Sequence, residues 1–349
     1  MIVRTVLGDV APEALGLTLG HEHLIARPAA DVDDPDLRLD DEDAAVAELA
    51  SFASAGGGAV VEMTTVDYGR DVAALRRLSR ASGVHLIAAT GFNKGRFSDG
   101  IVARHDDETI VRWMIDEVRV GATAYEPPET VRLRPAAPES DGRAGPAADG
   151  GEPETDRVPR DRGPRAPAVQ AGLIKFGTGE TDAGPQERRV MEAAVRAQHA
   201  TGAPIGTHTE RAVWALEQAR FFVDGGVAPG KVLIGHCDFR PELAYLLEVA
   251  ATGVNLGFDQ FSKRKYLSDE ARVQVLAGLA SAGHLRQLIL SGDLARRSYW
   301  PAYGHADVAG FAHVPTAVAG LLRAEGFGEE DVRQLLVDNP QRWLCFEPR

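Results

Sequence analysis

The 349-residue sequence has few cysteines, a shortage of cations and no long apolar run. Its two cysteines, Cys237 and Cys345, cannot form a disulfide framework, which favours a reducing compartment such as the cytoplasm. With 38 lysines and arginines against 51 aspartates and glutamates, the net charge of -13 disfavours nucleic acid or an anionic membrane as the main partner. No apolar stretch reaches about 18 residues, and the first residues lack a signal peptide's apolar core. We therefore expect a cytoplasmic protein without a membrane span.

What the sequence contains is a strand followed by a helix, repeated along the chain. The predicted strands are 17–23, 59–65, 85–91, 171–177, 203–209, 231–238, 253–259 and 287–293. Helical patterns separate them at about 40–55, 70–82, 107–121, 186–201, 212–222 and 268–282, with another helix opened by Pro241 and two closing helices at about 315–324 and 329–336. Alternating strands and helices predict a parallel sheet. Eight units, none followed by a glycine-rich dinucleotide fingerprint, favour a closed (β/α)8 barrel over an open, doubly wound sheet.

One segment interrupts the alternation of strands and helices. From about 126 to 168 the sequence is rich in proline, glycine and charged residues and has almost no apolar residues. Such a segment cannot bury enough apolar surface to offset the entropy of ordering it. We predict that it is a disordered insertion within a single domain spanning 1–349, with a lid or a partner-binding tail as the functional alternative.

The first predicted strand ends in two closely spaced histidines, His21 and His23. Side chains at positions i and i+2 of a strand point the same way, so both rings can reach one metal ion from the same side. Two nitrogens make only half of a zinc site, and two unrelated histidines are the alternative. The interpretation depends on whether the chain supplies further ligands.

Other strands carry polar groups at or near their carboxyl ends. With the histidine pair, the set consists of His21, His23, Lys175, His208, His236 and Asp293. Because the carboxyl ends of barrel strands converge at one mouth, where active sites lie, this placement predicts a metal centre. Taken singly, each histidine could be a satisfied core residue and Asp293 a loop cap.

Lys175 is the most informative of these residues because it lies in an apolar run, Leu173-Ile174-Lys175-Phe176. Burial drives a lysine amine towards its neutral form. A neutral amine can add carbon dioxide and become a carbamate, an oxygen ligand able to bridge two metal ions. A side chain that reaches solvent, or that pairs with an unnoticed carboxylate, is the alternative.

These motifs together resemble the phosphotriesterase-related branch of the amidohydrolase superfamily. The resemblance rests on the order and context of 21–23, 174–175, 207–209, 235–238 and 291–293, with further similarity at 66–71 and 338–340. It covers nearly the whole chain except the insertion. The insertion departs from the family's usually short connection at that point.

The resemblance implies a binuclear metal centre, most often of zinc, at the mouth of a TIM barrel. His21, His23 and Asp293 would hold one divalent ion, and His208 and His236 the other.

Lys175, as N6-carboxylysine, and a hydroxide would bridge the two ions. Asp293 would take the proton of the attacking hydroxide as the catalytic base. The resemblance therefore implies a metal-dependent hydrolase of ester bonds, and it also implies a homodimer.

The substrate class is inferred from basic loops after strands seven and eight. Cationic residues concentrate in 262–266 and 296–299, where barrels often place a phosphate site. We predict that Lys265, Arg296 and Tyr299 bind the anionic group of the substrate. Family members with such loops resemble lactonases that act on sugar lactones, including phosphorylated furanose lactones. Ordinary solvated surface charge is the alternative for these residues.

The favoured function is therefore a lactonase that opens a phosphorylated or carboxylated lactone. An organophosphate triesterase, or a lactonase for neutral or acyl-homoserine lactones, would use the same metal ions with a more apolar pocket. A non-catalytic binding protein on the same fold is the remote alternative.

Overall fold

The structure, a computed structural model, describes residues 1–133, 168–179 and 182–349. A short antiparallel hairpin comes first, formed by β1 (Val3–Thr5) and β2 (Gly8–Val10). Eight parallel strands follow: β3 (Leu17–Glu22), β4 (Gly57–Glu62), β5 (His85–Gly91), β6 (Leu173–Gly177), β7 (Ile205–His208), β8 (Val232–Ile234), β9 (Asn255–Phe258) and β10 (Leu288–Leu290). Neighbours in this sheet follow the order of the chain from β3 to β10.

The sheet curls until its first and last strands meet. The backbone N–H of His21 donates to the Ser291 hydroxyl at 3.0 Å, and the backbone N–H of Asp293 donates to the His21 carbonyl at 3.1 Å. These contacts join the ends of β3 and β10, so the strands form a nearly closed barrel. The predicted (β/α)8 barrel is confirmed.

The helices of the described residues surround this barrel. They are α1 (Glu42–Ser54), α2 (Val72–Ser82), α3 (Gly95–Val102), α4 (Asp107–Arg119), α5 (Pro185–Thr201), α6 (Ala215–Asp224), α7 (Leu243–Ala250), α8 (Asp269–Ser281), α9 (Ala319–Glu325), α10 (Glu329–Arg333) and α11 (Asn339–Leu344). Across the described ranges, no helix combines the length and apolar character needed to cross a bilayer. The sequence did not predict α3, which contains two glycines and spans only eight residues, so its helical pattern is weak.

Several strands are shorter than predicted because the chain turns sharply at their polar ends. The predicted strand 231–238 ends at Ile234, and His236 adopts a left-handed φ of 63°. The predicted strand 287–293 ends at Leu290, and Asp293 has a φ of 46°. His236 and Asp293 therefore lie in loops that fold over the mouth of the barrel.

Side chains along each strand point alternately into and out of the barrel, which separates an inner core from an outer one. Inward-facing residues fill the barrel together with the C-terminal segment, and this inner cluster includes Val3, Leu15, Ala59, Val61, Met63, Ile87, Ala89, Leu173, Leu233, Ile289, Trp343, Leu344 and Cys345. Intervening strand residues such as Val60, Leu86 and Ile174 belong to the outer cluster, under the helices. Lys175 is two residues beyond Leu173, so its side chain also points into the barrel.

Glycines allow close approaches where the barrel narrows around the site. A Cβ atom on Gly20 would lie 2.4 Å from a methyl carbon of Ile289, so only glycine lets β3 approach β10 just before His21. At Gly91, which has a φ of 95°, a Cβ atom would lie 2.1 Å from the carbonyl oxygen of Lys175. Both glycines adjoin residues of the predicted metal centre.

Most of the predicted insertion, about 126 to 168, lies outside the described residues. Within its described start, a short 3-10 turn covers Pro128–Thr130, and Val131 and Leu133 are buried.

Candidate metal centre

The six residues predicted to bind metal converge at the carboxyl ends of the strands. His21 and His23 lie at the end of β3, Lys175 on β6, His208 at the end of β7, and His236 and Asp293 in the loops after β8 and β10. All six side chains are at least four-fifths buried. The placement by strand ends predicted this convergence.

One half of the cluster is formed by His21, His23 and Asp293. Oδ1 of Asp293 lies 3.4 Å from Nε2 of His23 and 3.9 Å from Nε2 of His21. The middle residue of the motif, Glu22, holds the Asp293 loop: its carboxylate accepts hydrogen bonds from the backbone N–H groups of Gly292 at 2.7 Å and Leu294 at 2.8 Å. These three ligand atoms lie close enough together to bind one metal ion.

The other half is formed by His208 and His236. Nδ1 of His208 lies 2.7 Å from Nε2 of His236. Between the halves, Nζ of Lys175 lies 3.4 Å from Nε2 of His21 and donates to the carbonyl of Thr207 at 3.2 Å. The lysine amine therefore occupies the position between the two groups of histidines.

A single buried carboxylate orients two of the histidines. Oδ1 of Asp259 lies 2.6 Å from Nδ1 of His236, and its Oδ2 lies 3.2 Å from Nδ1 of His21. On the other side, Nδ1 of His23 is 2.8 Å from the hydroxyl oxygen of Thr64. Because each of these Nδ1 atoms lies beside a buried oxygen of the protein, the Nε2 atoms of all three rings face the interior of the cluster.

The electrostatics of the cluster suit a cation. Burial, aided by the nearby Lys175 ammonium, lowers the pKa of His21 to about 3, so the ring is neutral and can act as a ligand. Burial lowers the pKa of Lys175 to about 8. Burial alone would raise the pKa of Asp293, but the Lys263 ammonium and the contact with His23 hold it well below its usual value. Neutral imidazoles and an ionised carboxylate are the donors that divalent transition metals prefer.

Comparison with known proteins identifies the family. A sequence model of the phosphotriesterase family matches residues 1–126 and 160–344. The chain belongs to the phosphotriesterase family. A curated relative, a phospho-furanose lactonase from Mycoplasmopsis synoviae, is 30% identical over an alignment that covers 99% of this chain and 92% of the relative.

Solved structures of the phosphotriesterase family are similar over almost the whole chain. A lactonase from Listeria monocytogenes superposes with a TM-score of 0.83 at 30% identity, covering 99% of this chain and 100% of that one. A phosphotriesterase homology protein from Escherichia coli, solved with phosphate in its active site, gives a TM-score of 0.78 at 28% identity, covering 95% and 99%. Family membership and the clustered histidines and aspartates together indicate a divalent metal centre.

Asp259 was not among the residues selected from the sequence of this phosphotriesterase-family protein. It is the last residue of the predicted strand 253–259, so the strand-end rule applied to the other ligands could have found it. Its burial and its two histidine contacts place it behind the metal centre.

Lys263 was not predicted as a site residue, whereas its neighbour Lys265 was predicted to bind the substrate. Its side chain is buried, and Nζ donates to Oδ2 of Asp293 at 2.8 Å and to the amide oxygen of Gln260 at 2.8 Å. The Gln260 amide also donates to Asp293 Oδ2 at 2.9 Å. The carboxylate of Asp293 thus has one oxygen facing the histidines and the other held by Lys263 and Gln260. In the sequence, Lys263 is one of three cations within 262–266, and no local pattern distinguishes it from Lys265.

Two of the three predicted substrate-binding residues, Lys265 and Tyr299, line a cavity of about 620 Å³. Nζ of Lys265 lies 5.2 Å from the centre of the Tyr299 ring, and Nζ of Lys263 lies 5.1 Å from it on the side of Asp293. The other lining residues include the apolar Val308 and Leu321 and the acidic Asp269, Glu270 and Asp307. The cavity therefore contains cationic, acidic and apolar groups, and Lys263 connects it to Asp293.

The third predicted residue, Arg296, is bound by carboxylates of its own chain. Its Nη1 lies 2.8 Å from Oδ2 of Asp34 and 3.2 Å from Oδ2 of Asp36. Asp36 also accepts a hydrogen bond from the Ser298 hydroxyl at 2.7 Å. The acidic loop after β3 is thereby connected to the loop after β10, and part of the Arg296 charge is neutralised within the protein.

Proposed function

We propose that this protein is a metal-dependent lactonase that opens a lactone carrying a phosphate or carboxylate group. Its family and the lactonases among its relatives make it a hydrolase of ester bonds that acts on a small molecule. The observation that carries the substrate proposal is that Lys263 and Lys265 line one cavity and both approach the Tyr299 ring, with Lys263 bound to Asp293, in a chain of net charge -13. An anionic substrate would be attracted to these ammonium groups.

Two Zn²⁺ ions are the proposed cofactors. The proposed ligands are His21, His23 and Asp293 for the first ion, His208 and His236 for the second, and Lys175, as N6-carboxylysine, for both. When bound, such ions would lower the pKa of a bound water molecule and polarise the carbonyl oxygen of the substrate. Burial lowers the pKa of the Lys175 amine to about 8, so roughly a tenth of it is neutral at pH 7 and can react with carbon dioxide.

Asp293 is the proposed catalytic base. Its Oδ1 faces the histidines and can accept a proton from the attacking water, while Lys263 and Gln260 hold Oδ2. The water oxygen bonds to the lactone carbonyl carbon, and the ring carbon–oxygen bond breaks. Asp293 then returns the proton to the ring oxygen that leaves, so the product is a hydroxy acid.

The anionic group of the substrate is proposed to bind Lys265 and Tyr299. Their position in the cavity next to Lys263 supports this role. Arg296 completes the proposed set, although it does not line this cavity, and its ion pairs with Asp34 and Asp36 hold its guanidinium in place. The phosphate in the active site of the Escherichia coli relative supports an anion-binding mouth in this family.

The proposed function can be tested by measuring hydrolysis with metal-replete protein and a pH indicator. The substrates would be a matched panel of neutral, carboxylated and phosphorylated γ-lactones, with a paraoxon-like triester and an acyl-homoserine lactone for comparison. We expect selective turnover of the anionic lactones. Lys265→Met should then raise the KM for these substrates at least tenfold and leave neutral lactones unaffected.

A matched control is Arg323→Met, which removes an exposed cation that is paired with Glu329 and does not line this cavity. We expect this variant to behave like the wild type. Turnover confined to neutral lactones or triesters would retain the metal-dependent hydrolase and contradict the anionic substrate. Absence of turnover on every compound, together with less than one equivalent of metal, would favour a binding protein.

A further inference from the structure

The four histidines of the centre share an arrangement in which one ring nitrogen contacts an oxygen of the protein. For three of them the oxygen is buried, on Asp259 or Thr64, and the nitrogen so contacted is Nδ1. His208 is the exception because its Nδ1, not its Nε2, points to the other ligands. A carboxylate at the rim of the site contacts its Nε2.

That carboxylate belongs to Glu210, two residues further along the chain. Its Oε2 lies 3.4 Å from Nε2 of His208. The same oxygen is bound by Nζ of Lys94, which follows β5 on the neighbouring part of the mouth. Both side chains of this ion pair are about one-fifth exposed, at 22% for Lys94 and 23% for Glu210.

The backbone after Glu210 is bent sharply. Arg211, Ala212 and Trp214 all have left-handed φ values, of 53°, 58° and 67°, which non-glycine residues rarely adopt. Strain of this kind persists where the surrounding structure imposes it, and it is concentrated at functional sites. Here the bend directly follows the carboxylate that contacts His208.

We propose that Glu210, anchored by Lys94, is the positioning residue for His208 and selects the tautomer that carries its proton on Nε2. The Nε2–H group donates to Glu210, and the lone pair on Nδ1 is then available to the second metal ion. This inference rests on the metal centre of the proposed function. It predicts an effect on one of the two ions, because the described contacts of His21, His23 and Asp293 do not include Glu210.

The test is a titration of chelator-treated protein with Co²⁺ in bicarbonate buffer, followed by visible absorption and calorimetry. The wild type should bind two equivalents. In Glu210→Ala we expect one equivalent to bind 10- to 100-fold more weakly, the loss typical of removing a group that orients a histidine ligand. Glu210→Gln, which keeps a hydrogen-bond acceptor, should lose less, and Lys94→Met should weaken the same equivalent.

Glu42→Gln is the control, since it breaks a comparable exposed ion pair with Arg77, whose closest N–O distance is 2.6 Å, on the outside of the barrel. It should leave both equivalents unchanged. An unchanged titration in both Glu210→Ala and Lys94→Met, or equal weakening of both equivalents, would overturn the positioning role. If the wild type itself failed to bind two equivalents, the metal centre of the proposed function would be wrong, and the inference with it.

Discussion

The two ends of the barrel both contain fully buried side chains but are chemically opposite. At the amino end, Val3, Trp343 and Leu344 join the inner apolar cluster, and the Trp343 indole donates to the Ile205 carbonyl at 3.1 Å. At the carboxyl end, His21 and Lys175 are as inaccessible as Trp343 but carry groups that titrate. Burying apolar surface stabilises a fold, whereas burying ionisable groups opposes folding unless partners compensate. The comparison separates a structural end from a functional end, as in other TIM barrels.

The carboxyl end tolerates this polarity because a layer of buried carboxylates lies behind the histidines. Asp259 contacts two histidines, and Glu22 accepts hydrogen bonds from the loop that carries Asp293. Each carboxylate thus satisfies its own hydrogen-bonding capacity and fixes a ligand. The histidines and Asp293 are therefore held in place by these carboxylates, even if burying the charged groups does not stabilise the fold.

The largest expected effect comes from Asp293→Asn at the functional end. The substitution keeps the shape of the side chain but removes the charge and the proton acceptor, so we expect kcat to fall about a thousandfold. Lactone hydrolysis at saturating substrate would measure it. Asp9→Asn, which breaks an ion pair with Arg4 at the amino end, is the matched control and should leave kcat unchanged. Comparable losses in both variants would contradict the separation of the two ends.

Trp343→Ala tests the structural end. It removes a large, fully buried side chain and its hydrogen bond, so we expect the free energy of unfolding to fall by ~3–5 kcal/mol. Denaturant unfolding would measure the change. Trp343→Phe, which removes less side-chain volume, is the comparison. The fraction that remains folded should keep the wild-type kcat. A large change in kcat at unchanged stability would show that this end takes part in catalysis.

The smallest expected effect is at the strained rim. Arg211 is exposed and has a φ of 53°, so Arg211→Gly should relieve strain and raise the free energy of unfolding by roughly 0.5–1 kcal/mol. Thermal unfolding of the metal-free protein would measure it. Arg80→Gly, at an exposed position inside α2, should instead destabilise by about 1 kcal/mol. Destabilisation by both glycines would mean that the bend at Arg211 carries no strain.

Much of the fold followed from local sequence patterns. All eight barrel strands were predicted, and the bounds of β5 were correct, because each strand is a short apolar run between a helix end and a turn. The hairpin of β1 and β2 was missed because three-residue strands give no period to detect. The ends of β8 and β10 were misplaced because apolar character continues past the point where His236 and Asp293 turn the chain.

The candidate site likewise contains residues that the sequence predicted and residues that it did not. The positions of His21, His23, Lys175, His208, His236 and Asp293 at strand ends, and hence their convergence, were readable from sequence. The contacts of Asp259 and Lys263 were not, because each is made with a residue on another strand or loop. Nor was the contact of Glu210 with Lys94, which lies more than a hundred positions earlier in the chain. Nor did the sequence indicate that Arg296 would be bound by Asp34 and Asp36, some 260 positions away.

The sequence by itself determined which residues point into the barrel and which strand ends carry the candidate ligands, because alternation and strand order are properties of the chain's local geometry. Only the tertiary structure decided which ring nitrogen of each histidine faces the cluster and which oxygen of the protein contacts the other nitrogen. Those choices depend on distances of a few ångströms between elements far apart in the chain, set by the closure of the barrel and the packing of its loops.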